Sequence, residues 1–228
     1  MNKLIVDKEE LSLKDNIIYL EIKVPKVTLN ISGKVMINEF ITKNNYDLEL
    51  IINMDNNSEL LFNRYLDINK INSKIIINQK DNSSLELNNS IIAKDKGEMI
   101  ILSNVTGNNN MTNIKVRAIT KDKGSLLLKC TTDNKEKTNN NELLESLKIL
   151  MLNNEESIII PDLLVSSNEV EVNHAATISG INKDELFYLT SKGLTEESAT
   201  YLLSTGFIIN NLNITKKDKE ELRGIINV

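Results

Sequence analysis

The sequence has no tryptophan, one cysteine, one histidine, two prolines and eight glycines in 228 residues, and aromatic residues make up only 4% of it. Each scarcity excludes something. A single cysteine rules out a disulfide framework and a cysteine-only metal site within one chain, and it predicts a reducing compartment. A carbohydrate-cleaving groove with paired carboxylates and aromatic platforms is disfavoured by the lack of rings. The formal net charge of −5 argues against a nucleic-acid surface. No run approaches the roughly 18 apolar residues of a membrane span. The N-terminal "MNKLIVDKEELSLKDN" breaks its apolar run with charge, so it does not read as a signal peptide. A cytoplasmic protein is expected.

What is present is aliphatic. Hydrophobic residues reach 40%, and with so few rings the core must be built from Ile, Leu and Val, which suits stacked strands. Apolar positions alternate with period two: Ile18, Leu20, Ile22 and Val24; Val27, Leu29 and Ile31; Tyr46, Leu48 and Leu50; Ile114, Val116 and Ala118; Leu126 and Leu128. The breaks are short and polar, such as "MDNNSE", "NQKDNSS" and "TGNNN". No helical periodicity of useful length interrupts this region, which disfavours βαβ folds. A sandwich or a β-solenoid remains, and the even strand spacing with Asn-rich corners favours the solenoid. The stretch "TTDNKEKTNNNELLES", residues 131–146, reads as a polar, solvated insertion between strands.

After residue 180 the pattern turns helical. Asn182 followed by Glu185 forms a capping box for a helix running to Lys192, with Gly193 just past its end. Thr195 caps a second helix expected to stop at Gly206, and Thr215 caps a third. The chain therefore divides into a β-body, 1–180, and a helical lobe, 181–228.

"HAAT" followed by "DELFYLTSKGLTEESATYLLSTGF" resembles the C-terminal signature of the SufB/SufD family, the scaffold proteins of SUF iron–sulfur cluster assembly. The matching residues include His174, Ala176, Thr177, Glu185, Leu186, Phe187, Tyr188, Ser191, Gly193, Glu197, Ala199, Gly206 and Phe207, with Lys192 where the family usually has Arg. "IIIPDLLVSSNEVEVNHAAT" resembles the strand leading to the family's histidine. The resemblance covers roughly residues 155–210. It implies a right-handed parallel β-helix with a small C-terminal helical lobe, docking of that lobe on a SufC-type ABC ATPase, and pairing of two scaffolds, as homodimer or heterodimer, through their β-helices. Such a protein is not itself an enzyme; no Walker-type Gly-rich loop occurs here, so ATP hydrolysis falls to the partner.

Candidate ligands for a transient iron–sulfur cluster are few. His174 shares strand parity with Val170 and Val172, and a neutral imidazole held at its second nitrogen is a competent iron ligand. Cys130, the only thiol, can bind iron or accept sulfur if it is accessible and its pKa is lowered. Its parity with Leu126 and Leu128 instead suits a small core residue. The family's functional cysteine falls at Leu144, one loop away. Glu145 and Glu156 precede His174 and are candidate oxygen ligands. Ala175 stands where SufB-type members commonly have Glu, which favours the alternative of a SufD-like partner that recruits and activates the ATPase without holding a cluster. The expected docking residues are Leu186, Phe187, Tyr188, Leu202 and Phe207.

Overall fold

The computed structural model describes residues 3–135, 137–167 and 169–226. Eleven strands are followed by three helices: β1 (Lys3–Val6), β2 (Glu10–Ile22), β3 (Lys26–Met54), β4 (Glu59–Gln79), β5 (Ser84–Ala93), β6 (Lys96–Val105), β7 (Met111–Thr120), β8 (Ser125–Asn134), β9 (Asn141–Met151), β10 (Ile158–Val165), β11 (Val170–Ser179), α1 (Lys183–Ser191), α2 (Glu196–Ile209) and α3 (Lys216–Ile225). Every strand pairing is parallel.

The first half of β4 pairs with β5, which continues through β7 and β9 to β11; its second half pairs with β6, then β8 and β10. One chain thus builds two walls, turn upon turn, and the molecule is a parallel β-helix. The register advances 25 residues from Lys34 to Glu59 and again to Ser84, then 27 to Met111. The lengthening blurs the repeat in the sequence without disturbing the stack.

The alternating residues face inward. Leu85, Leu87, Ile91, Ile101, Ile114, Val116 and Leu128 are fully buried in one continuous aliphatic core. The Asn-rich corners also have a physical cause. Asn57, Asn82, Asn109 and Asn140 hold φ between 53° and 59° in successive turns, a left-handed conformation that Asn tolerates better than other side-chain-bearing residues. They stack, Asn109 Nδ2 donating to Asn82 Oδ1 at 3.0 Å and Asn140 Nδ2 to Asn109 Oδ1 at 3.2 Å. A second ladder, Asn30–Asn53–Asn78–Asn104, repeats a 2.9 Å amide bond three times.

The insertion expected over 131–146 shrinks to a turn. β8 runs to Asn134 and β9 starts at Asn141, and Asn134 bonds both Thr138 and Asn141 at 2.8 Å. Polar residues there satisfy buried groups of the corner, which composition alone reads as solvation.

All three expected N-caps are present, with Asn182, Thr195 and Thr215 accepting from first-turn amides. Gly193 has φ +97° at the end of α1, as a left-handed cap requires. Gly206 does not stop α2, which continues to Ile209. Burial of Ile208 and Ile209 outweighs the ~1 kcal/mol that glycine costs inside a helix.

The lobe does not cap the solenoid. It folds back along the outer face of the β5–β7–β9 wall, where Ile208, Ile209, Leu212, Leu222 and Ile226 form a second core with Tyr65, Ile92, Ile119 and Leu150. Ser90 Oγ donates to Ile208 O at 2.8 Å, and Asn213 exchanges hydrogen bonds with the Asn63 side chain at 2.9 and 3.0 Å. The last turn, β10 and β11, is consequently left uncovered.

Candidate functional site

The uncovered end brings three of the four candidate ligands together. Glu145 points inward from β9 and is buried, with His174 of β11 as its direct cross-strand neighbour. Cys130 faces the same interior from β8, fully buried, its thiol beside the Glu145 carboxylate. Thr132 Oγ1, two residues along from Cys130, donates to Glu145 Oε1; Oε2 is buried with no hydrogen-bond partner among the described residues. His174 keeps the inward parity of Val172 yet is exposed, because no further turn lies over it. Parity selects a face; burial needs a neighbour on that face.

Glu156 does not join this group. It is exposed in the 152–157 loop before β10, rather than on a strand stacked near His174. Leu144 has the opposite parity to Glu145 and looks outward, so a cysteine at that position would stand on the other face of the wall from Cys130.

The electrostatics bear on what Cys130 can do. Burial pushes its thiol well above the usual range, and the Glu145 carboxylate raises it further. Burial likewise raises Glu145, with Asp162 adding to the effect, while Thr132, Cys130 and His174 oppose it. A protonated, enclosed thiol is neither a nucleophile nor a ready metal ligand, so the accessible, low-pKa cysteine the chemistry needs is not the one in this fold. Among the described residues no three His, Cys, Asp or Glu side chains are grouped so as to hold a metal ion. A single chain thus presents an exposed imidazole above a buried carboxyl–thiol pair.

The expected docking residues divide in two. α1 buries none of its residues, and Phe187 and Tyr188 are 74% and 60% exposed; Leu202 on α2 is also exposed. Leu186 is half-buried. Phe207 is half-buried too, but it packs against the second core and is a joint between lobe and body rather than a free anchor.

Two functional-looking groups escaped the sequence reading. Arg64 lies wholly inside the β-helix, bonded to Glu39 Oε2 at 2.7 Å and to Tyr46, whose hydroxyl donates to Glu39 Oε1 at 3.0 Å. Arg117, on the outer face of β7, lines a cleft beneath α2. Inward parity at Glu39 and Arg64 was the available signal for the first; nothing local marks the second. No helix among the described residues is long and apolar enough to cross a membrane.

Comparison with known proteins agrees with the signature in the C-terminal third. The family model for the SUF system FeS cluster assembly SufBD core domain matches residues 61–207. The chain is 48% identical over 48 residues to an iron–sulfur cluster assembly SufBD family protein of Pyrococcus horikoshii, covering 21% of this chain and 11% of that one. It is 40% identical over 60 residues to the like-named protein of Staphylococcus aureus (26% and 13%), and 31% identical over 101 residues to that of Staphylococcus saprophyticus (44% and 22%). The matched segments thus span under a quarter of these relatives. With the family model covering most of the β-helix and reaching through α1 into α2, the chain belongs to the SufBD family of iron–sulfur cluster assembly proteins.

Proposed function

We propose that this chain is a non-enzymatic scaffold component of the cytoplasmic SUF machinery, one that binds a SufC-type ABC ATPase through α1 and α2 and assembles or transfers iron–sulfur clusters. The observation that carries the docking half is α1 itself. A nine-residue helix with no buried residue that still presents Phe187 and Tyr188 is a surface suited to a partner, since rings of this kind are common interface anchors. The family's role in cluster assembly supports the rest.

The uncovered β10–β11 end is the surface we assign to pairing with a second scaffold. Its parallel edges and its apolar residues, Ile158 and Leu164 among them, are what a strand-to-strand interface uses. Cluster iron, as cargo, would then take His174 from this chain and other ligands from the facing copy or partner. A second reading, the SufD-like one, has the chain recruit and activate the ATPase without holding a cluster, and the buried Cys130 with its raised pKa favours it.

Anaerobic reconstitution with ferrous iron and sulfide, with and without the ATPase, separates the two. Cluster absorption that is present in wild type and lost in His174→Ala supports the cluster-holding scaffold. Absence of iron from wild type under both conditions leaves the SufD-like reading. Retention of an unchanged cluster in His174→Ala removes His174 from the site. For docking, Phe187→Asp should abolish copurification with the ATPase and leave the β-body folded; unchanged copurification overturns the docking face.

A further inference from the structure

Arginine is scarce in this chain, three residues against 24 lysines, and Arg117 is half-buried where a lysine would more easily reach solvent. It lies in a cleft of about 630 Å³ between the outer face of the wall and the lobe. Its Nη1 donates to Val116 O at 3.0 Å and Ser146 O at 2.8 Å, and its Nη2 to Ser146 Oγ at 3.0 Å. These bonds pin the guanidinium by one end. The Nε–H and the second Nη2 hydrogen have no partner among the described residues, and no carboxylate forms an ion pair with the group. Burial alone lowers its pKa, with no acidic group offsetting the cost.

The surroundings are also short of negative charge. Lys148, the cross-strand neighbour of Arg117, is exposed without an ion pair among the described residues. Lys115 is 3.6 Å from Glu86, and Glu185 of α1 lines the cleft without forming an ion pair with Arg117 among the described residues. The lobe side of the cleft is mixed, lined by Leu202, Leu203, Gly206 and Phe207 and by Asn210 and Asn211. A planar fork pinned at one end, with its other edge free in a cleft that also presents Leu202 and Phe207, matches a carboxylate carried on a protein surface.

We propose that this cleft is the charged pocket of the lobe's docking surface, receiving an Asp or Glu side chain of the ATPase in a two-pronged pair with Arg117. The proposal rests on the docking reading above, because Leu202 is both a wall of the cleft and an exposed residue of that surface. Charge complementarity selects the occupant: the free fork needs an anion, and the exposed Leu202 in the same cleft continues the surface on which a protein partner would deliver it.

The test coexpresses the full chain with the SufC-type ATPase of the same organism and measures affinity for wild type, Arg117→Glu, Arg117→Gln, Arg117→Lys and Phe187→Asp, each checked for an unchanged melting transition. Arg117→Glu should weaken binding by about tenfold or more, and Arg117→Lys by less, because it keeps the charge and loses the fork. Wild-type affinity should also fall more steeply with added salt than that of Arg117→Gln. If Arg117→Glu does not fold, Arg117→Lys and Arg117→Gln carry the comparison. Equal affinity of wild type and the folded Arg117 variants, with Phe187→Asp still disruptive, overturns the pocket and leaves the docking reading standing. Failure of wild type to bind the ATPase overturns both.

Discussion

The most tightly held side chains are not those nearest the uncovered end. Arg64 and Glu39 are sealed in the β-helix with zero exposure, stacked on adjacent turns, with Tyr46 closing the triangle and Asn89 on the next turn. The guanidinium also lies over the rings of Tyr46 and Phe62, at 5.7 and 5.3 Å. Burying this pair carries a desolvation penalty that its hydrogen bonds offset, so removing one member leaves an uncompensated charge. Arg64→Ala is expected to destabilise the protein by about 3–5 kcal/mol, read from urea unfolding, whereas a joint Arg64→Met, Glu39→Leu replacement should be much milder. An equal loss in the double variant would show that the network stabilises by more than mutual neutralisation. Cys130 follows the same logic: buried without an opposite charge, it stays a thiol.

Elements hold together here through small polar contacts at defined places. α3 is tied to the body by Tyr19, whose hydroxyl donates to Asp218 at 2.9 Å from either carboxylate oxygen. Burial, and then the Asp218 carboxylate, raise the Tyr19 phenol from 10.0 to about 12. The folded state therefore retains a proton that the unfolded chain loses, so this contribution is complete below pH 10 and is lost as pH rises towards 12. An absorbance titration of phenolate should show Tyr19 ionising late in wild type, together with Tyr46 and Tyr65, which burial also raises, and Tyr19→Phe should remove one late phenol from the curve. The same substitution should reduce the alkaline loss of stability, leaving the part due to Tyr46 and Tyr65, and cost about 1.5 kcal/mol at neutral pH. A wild-type stability flat across that alkaline range would contradict the assignment. The left-handed asparagines are the corresponding device in the turns, and they explain why Asn recurs at each corner.

For the whole molecule, the decisive feature is that the lobe covers a flank and not an end. Exposed parallel edges with apolar residues are a liability that proteins normally blunt or pair. Leu164 and Ile158, at 52% and 55% exposure, are expected to be covered by a second scaffold. Sedimentation velocity should then show a dimer that Leu164→Lys converts to monomer, while the helices and β-body keep their circular dichroism. A wild type that stays monomeric at high concentration, alone and with its partners, would remove this end as an interface.

The sequence by itself determined the strands, the inward face of each, the helix caps and the family, because these depend on local periodicity, cap chemistry and the order of residues within short stretches. His174, Glu145 and Cys130 were legible as types, but their meeting was not: they lie on three strands joined only by the register of the coil. Tertiary structure decided which face was truly buried, dropping Glu156 from the site and turning Phe207 into a joint. It also decided that α2 runs past Gly206, that Arg117 sits in a cleft, and that the last turn is open. The physical reason is common to all of these. Parity tells a residue which way to point, while exposure, pKa and partnership depend on what the rest of the chain places opposite it.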